Sequence, residues 1–112
     1  MHIANLEVIF DASVLTIKIK GDVDHHSAKK IREAIDSFII EKKPVIIVLD
    51  LSSVDFMDSS GLGLILGRYN VACDLGAKLI LYNPTRRIRK ILELAGIERI
   101  IKIEGDGDNE AC

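Results

Sequence analysis

The run Val45 to Leu51, VIIVLDL, constrains this chain more than any other stretch. Nearly continuous in β-branched and apolar residues, it reads as a strand buried on both faces. Such a strand sits centrally in a sheet and takes parallel neighbours, which must be joined to it by helical crossovers. Directly after it comes Val54 to Gly76, VDFMDSSGLGLILGRYNVACDLG. This segment leaves the strand as a loop, passes two adjacent serines and continues as an amphipathic helix. Hydroxyls exposed where a strand turns into a helix make a candidate site.

The flanking segments supply the rest of the sheet. Leu6, Val8 and Phe10 alternate with polar positions, as do Leu15, Ile17 and Ile19 after a turn at Asp11 to Ser13, which is a hairpin pattern. Gly21 is expected to end the second strand. A helix follows with Ala28, Ile31, Ala34, Ile35, Phe38 and Ile39 on one face, capped by Asp24 or Ser27 and stopped at Lys42, Lys43 and Pro44. Beyond Gly76, Lys78 to Tyr82 reads as a strand. Asn83 and Pro84 are expected to open a third helix buried through Ile88, Ile91, Leu92 and Ala95 and closed by a left-handed Gly96. Ile100, Ile101 and Ile103 suggest a last short strand. The predicted order is ββαβαβαβ, an α/β fold with a mixed, mostly parallel sheet and helices packed against it. Residues 1–104 form one expected domain, and residues 105–112 a polar, disordered tail.

The chain of 112 residues suits a single core. Its net charge of −2 and aromatic content of 4% give no general attraction to nucleic acid or anionic lipid and few stacking platforms. Neither a membrane-spanning run nor a secretory signal is visible, and Cys73 and Cys112 fit reduced thiols, so a cytoplasmic location is expected.

Within the serine segment, a helical projection places Leu62, Ile65, Leu66, Tyr69, Ala72 and Cys73 on the arc expected to face the sheet. Leu64, Val71 and Leu75 form a second apolar arc, with Gly63 and Gly67 between. Glycines inside a helix cost about 1 kcal/mol each relative to Ala, so Gly61, Gly63 and Gly67 suggest a close approach by another element or a partner. The spacing of these glycines matches neither the dinucleotide fingerprint nor the phosphate-binding loop. A nucleophilic serine is disfavoured because G-x-S-x-G is missing, although His25 and His26 exist. One of Asp58, Ser59 and Ser60 caps the helix. A phosphate on a serine here would be expected to meet free N–H groups and the positive end of the helix dipole. His25 and His26, adjacent in sequence, do not share a metal easily, and Asp22 and Asp24 read as loop and cap residues. Arg86, Arg87, Arg89 and Lys90 form a basic cluster that is either a solvated face or an anion patch.

Three segments together, GDVDHHSA, VDFMDSSGLGLILGRY and NPTRRIRKILELAGI, resemble the anti-sigma factor antagonists of the STAS domain family, from about Leu6 to Ile103. The resemblance implies the STAS fold and a switch protein with no catalytic residues, no cofactor and no bound metal. The unphosphorylated form would bind an anti-sigma factor that is also a serine kinase and so release a sigma factor, with sigma F of sporulation as the expected pathway. Phosphorylation would fall on Ser59, and a PP2C-type serine phosphatase would remove it; ATP and metal belong to those partners. The expected partner-binding residues are Asp22, Asp24, Asp58, Ser59, Ser60, Gly61, Gly63, Leu64 and Gly67, with no nucleic acid and no membrane involved. An accessory STAS module in a transporter or signalling complex, and a small-molecule or nucleotide-binding domain using the same loop, are the alternatives.

Overall fold

The computed structural model describes residues 2, 3 and 5–105 of the chain. Its elements are β1 (His2–Ile3), β2 (Leu6–Asp11), β3 (Val14–Val23), α1 (Ala28–Lys42), β4 (Ile46–Met57), α2 (Ser59–Leu75), β5 (Lys78–Tyr82), α3 (Arg86–Leu94) and β6 (Lys102–Glu104). The strands lie in one sheet in chain order, β1-β2-β3-β4-β5-β6. β1, β2 and β3 pair antiparallel, whereas β3 through β6 are parallel. The expected α/β architecture is therefore present, with β1 as an added edge strand.

Because α1, α2 and α3 join parallel neighbours that step the same way across the sheet, right-handed crossovers bring them to the same face. The core shows this: Leu15, Ile17, Ile47, Leu49, Leu79 and Leu81 pack with Ile35, Ile65, Ile88 and Leu92 of the three helices. The other face, carrying Ile9, Thr16, Val48 and Ile80 in one hydrogen-bonded row, lies outside that cluster. Burial along β4 accordingly alternates, with Ile47, Leu49 and Leu51 fully covered and Ile46, Val48 and Asp50 half-buried. The expectation of a strand buried on both faces is corrected: β4 is central, but helices cover one side of it.

Several boundaries also move. β3 runs past Gly21 to Val23, and β4 extends from Leu51 to Met57 through two register shifts. Gly21, at φ +86°, stands at one of them, where an inserted residue re-aims the end of a strand. α3 starts two residues later than expected. Asn83 instead stays with the sheet, its N–H donating to the Glu104 carbonyl at 2.7 Å, and Thr85 caps the helix by accepting from the Ile88 N–H. Gly96 takes the expected left-handed conformation at φ +77°, while Ile100 and Ile101 fall in the turn before β6. Cys112 and most of the expected tail lie outside the described residues.

Candidate functional site

The extended ends of β3 and β4 are what build the site. They pair as far as Val23 against Met57, and the Asp58 N–H then donates to the Val23 carbonyl at 3.4 Å. The loop 22–27 and the start of α2 are thereby held side by side. Asp24 Oδ1 accepts from the N–H groups of His26, at 2.9 Å, and Ser27, at 3.1 Å. The Ser27 hydroxyl donates to the Asp22 carbonyl at 2.8 Å and accepts from the Asp24 N–H at 3.1 Å. These bonds, the Ser27 N–H foremost, hold the Asp24 carboxyl below its ordinary range. Asp24 and Ser27 together thus tie down the loop that enters α1, and neither side chain accepts from an N–H of the helix itself.

Asp58 is the N-cap of α2. Its Oδ1 accepts from Ser60 N–H at 2.8 Å and Gly61 N–H at 3.4 Å, and its carbonyl accepts from Gly61 and Leu62. The first-turn donors at Ser60, Gly61 and Leu62 are therefore already taken. A phosphate on Ser59 would not find them free, which corrects the sequence expectation. Ser59 is exposed at the first position of the helix, and Ser60 is half-buried. A phosphate at Ser59 would add charge to the surface beside the Asp58 carboxylate and leave the helix cap in place.

The buried side of α2 consists of Gly61, Leu64, Ile65, Arg68 and Ala72. Leu62 and Tyr69 are half-buried against the core, whereas Leu66 and Cys73 are exposed. The helix is thus rotated from the arc that hydrophobicity alone selects. Two proposed contact residues move inward as a result. A Cβ on Gly61 would lie 2.3 Å from Met57 Cγ and 2.8 Å from the Val23 carbonyl oxygen, so this glycine serves the close seating of α2 on β3 and β4. Leu64, 5% exposed, belongs to the core. Gly63 and Gly67 face open space instead, where an approaching chain would meet bare helix backbone. Asp22, Asp24, Asp58, Ser59 and Ser60 are brought together at the same end of the molecule; Gly67 lies one turn beyond Gly63.

Sequence reasoning missed Arg68. It is 5% exposed, and its Nε lies 3.0 Å from Asp36 Oδ1 of α1, close enough for an ion pair but poorly aligned for a hydrogen bond. Burial lowers the pKa of this guanidinium, Asp36 opposes the shift, and the charge of Arg32 adds to it. A single cation at helical spacing among Gly61, Leu64, Ile65 and Ala72 was the signal that could have found it. Also unforeseen is a groove of about 430 Å³ between α1 and α2, lined by His25, Ala28, Lys29, Arg32, Ser60, Gly63 and Leu64. His25 and Ser60 share it with no hydrogen bond between them, so no nucleophile and base are paired there. On α3, Arg86, Arg87 and Lys90 are exposed, and Arg89 Nη2 donates to the Gly105 carbonyl at 3.2 Å. No cluster of three or more metal-ligating side chains occurs among the described residues, nor is any helix there long and apolar enough to cross a membrane.

Residues 5–108 match the STAS domain. The chain belongs to the STAS domain family. It is 33% identical over 105 residues to an anti-sigma F factor antagonist of Paenibacillus polymyxa, spanning 94% of this chain and 87% of that one. A second anti-sigma F factor antagonist, from Lysinibacillus sphaericus, is 35% identical and spans 87% of this chain and 81% of its own. An anti-sigma-B factor antagonist of Listeria monocytogenes is 29% identical across 84% of this chain and 82% of the relative. Among solved structures, the unphosphorylated form of the anti-sigma factor antagonist SpoIIAA superposes with a TM-score of 0.70 at 27% identity, covering 95% of this chain and 93% of that one. The phosphorylated form of the Bacillus protein SpoIIAA gives 0.69 at 26% identity, covering 95% and 96%. These antagonists are regulatory binding proteins and not enzymes.

Proposed function

We propose that this STAS domain is an anti-sigma factor antagonist controlled by phosphorylation of Ser59. Unphosphorylated, it binds an anti-sigma factor that is itself an ATP-dependent serine kinase, and so releases a sigma factor for transcription in the cytoplasm. The kinase inactivates it by modifying Ser59, and a PP2C-type serine phosphatase restores it. The observation that carries this reading is the setting of Ser59: exposed at the first position of α2, with the neighbouring N–H groups already capped by Asp58. A dianion there alters what a partner meets and leaves the fold intact. Asp22, Asp24 and Asp58 make the same end acidic before modification, so the phosphate adds to an existing field that repels acidic groups on a partner. The relatives of sigma F type favour the sporulation pathway.

The test uses purified anti-sigma F factor with radiolabelled ATP. Wild-type chain is expected to take up label and Ser59→Ala none, while Ser59→Ala still binds the partner. Label retained by Ser59→Ala would move the site to Ser60 or elsewhere. Running the same binding assay with an anti-sigma B factor separates the two pathways: stronger binding there would assign the chain to sigma B.

A further inference from the structure

The groove between α1 and α2 carries charge that the proposed switch does not use. Lys29 and Arg32, one turn apart on exposed positions of α1, face it together with His25. Neither Lys29 nor Arg32 has a carboxylate within ion-pair distance among the described residues. On the opposite wall, Ser60, Gly63 and Leu64 present a hydroxyl, a backbone without a side chain and a buried apolar floor. One turn further along the same interface, Asp36 faces Arg68, whose Nη1 is buried without any partner. Asp36 pairs with Arg68, and Arg32 lies near enough to Arg68 for its charge to lower the pKa of that guanidinium, so this seam between the helices has an excess of positive charge.

We propose that this groove is a phosphate-monoester site, with Lys29 and Arg32 as its ligands and Gly63 leaving room for the oxygens. Arginine and lysine suit such a group because they supply several N–H donors to a compact dianion. The nearest source is the phosphoryl group on Ser59 of the same chain, one residue from the Ser60 wall. Occupied by it, the groove would hold the modified serine in one position and fix where the new charge points. A phosphate ester carried by another molecule has the same chemistry. The own-phosphoryl version rests on the phosphorylation of Ser59 proposed above; the groove itself does not.

Two measurements on the full chain separate these cases. Phenyl phosphate is titrated into unphosphorylated protein while the amide resonances of Gly63 and Leu64 are followed, in wild type and in Lys29→Gln/Arg32→Gln, whose positions are exposed enough for folding to be retained. In parallel, the phosphorus resonance of protein phosphorylated on Ser59 is titrated with pH. Asp22, Asp24 and Asp58 raise the midpoint of that phosphate, and His25, Lys29 and Arg32 lower it, so only the change between wild type and the double variant is read. Saturable shifts lost in the variant, with a phosphate midpoint that rises by at least about half a unit when the two cations are removed, support capture of the chain's own phosphoryl group. Saturable shifts with an unmoved midpoint assign the groove to an external phosphate ester. Absence of both effects overturns the proposal. Failure of the kinase to modify Ser59 would count against the proposed function, and the phenyl phosphate arm would still judge the groove.

Discussion

Gly61 and Gly63 stand two residues apart on one helix and face opposite surroundings. Any Cβ at Gly61 collides with Met57 and with the backbone oxygen of Val23, and a backbone atom cannot swing away as a side-chain end can. Gly61→Ala should therefore cost about 1–3 kcal/mol, the usual range for overpacking a tight core. At Gly63 the added methyl meets nothing within 4 Å. Gly63→Ala should stabilise the chain by up to about 1 kcal/mol through helix propensity. Urea denaturation of the two variants checks both signs. If a partner rides on the bare backbone at Gly63, the same stabilising variant should weaken binding about tenfold or more, roughly 1.4 kcal/mol. Unchanged affinity would remove Gly63 from the contact surface.

At the scale of elements, α1 and α2 meet through hydrophobic packing and one ion pair, Arg68 with Asp36, and the cation is the more buried partner. Removing the carboxylate leaves a buried guanidinium without compensation, whereas replacing the cation by an apolar chain removes the desolvation cost as well. Asp36→Asn should thus destabilise by about 1–3 kcal/mol, discounted from the fully buried case because Asp36 is partly in solvent, whereas Arg68→Met should change stability by less than about 1 kcal/mol. Thermal unfolding of both variants distinguishes this asymmetry from a bridge that simply adds stability, for which the two losses would be equal. Helix boundaries obey the same local physics. Asn83 is drawn into the sheet by the Glu104 carbonyl, which leaves Thr85 as the cap, and that bond spans 21 residues that no local pattern could join.

For the whole molecule, much of the architecture could be read in advance because the two periodicities are clean: alternation in Leu6 to Ile19 and helical spacing in Ile31 to Ile39 and Ile88 to Leu92. What could not be read is which face of the sheet the crossovers cover. VIIVLDL looks the same whether Val48 lies under a helix or beside Thr16 and Ile80 on the uncovered side. The same limit applies to α2, where Leu66 and Cys73 are apolar enough to be core and Arg68 charged enough to be surface, yet tertiary packing reverses all three. For the site, the Asp58-Ser59-Ser60 cap was legible from its residue types. The groove with Lys29 and Arg32 was not, since it exists only where two helices distant in sequence converge. The proposed function makes Ser59 a charge switch on a fold that does not respond to it. Its most direct test is calorimetric titration of the anti-sigma factor with wild-type chain and with Ser59→Asp, alongside thermal midpoints for both. The expected result is a loss of affinity of at least about 100-fold, roughly 2.7 kcal/mol, with midpoints within about 2 °C of each other. Tight binding by Ser59→Asp, or a loss of binding that tracks a large fall in the midpoint, would contradict it.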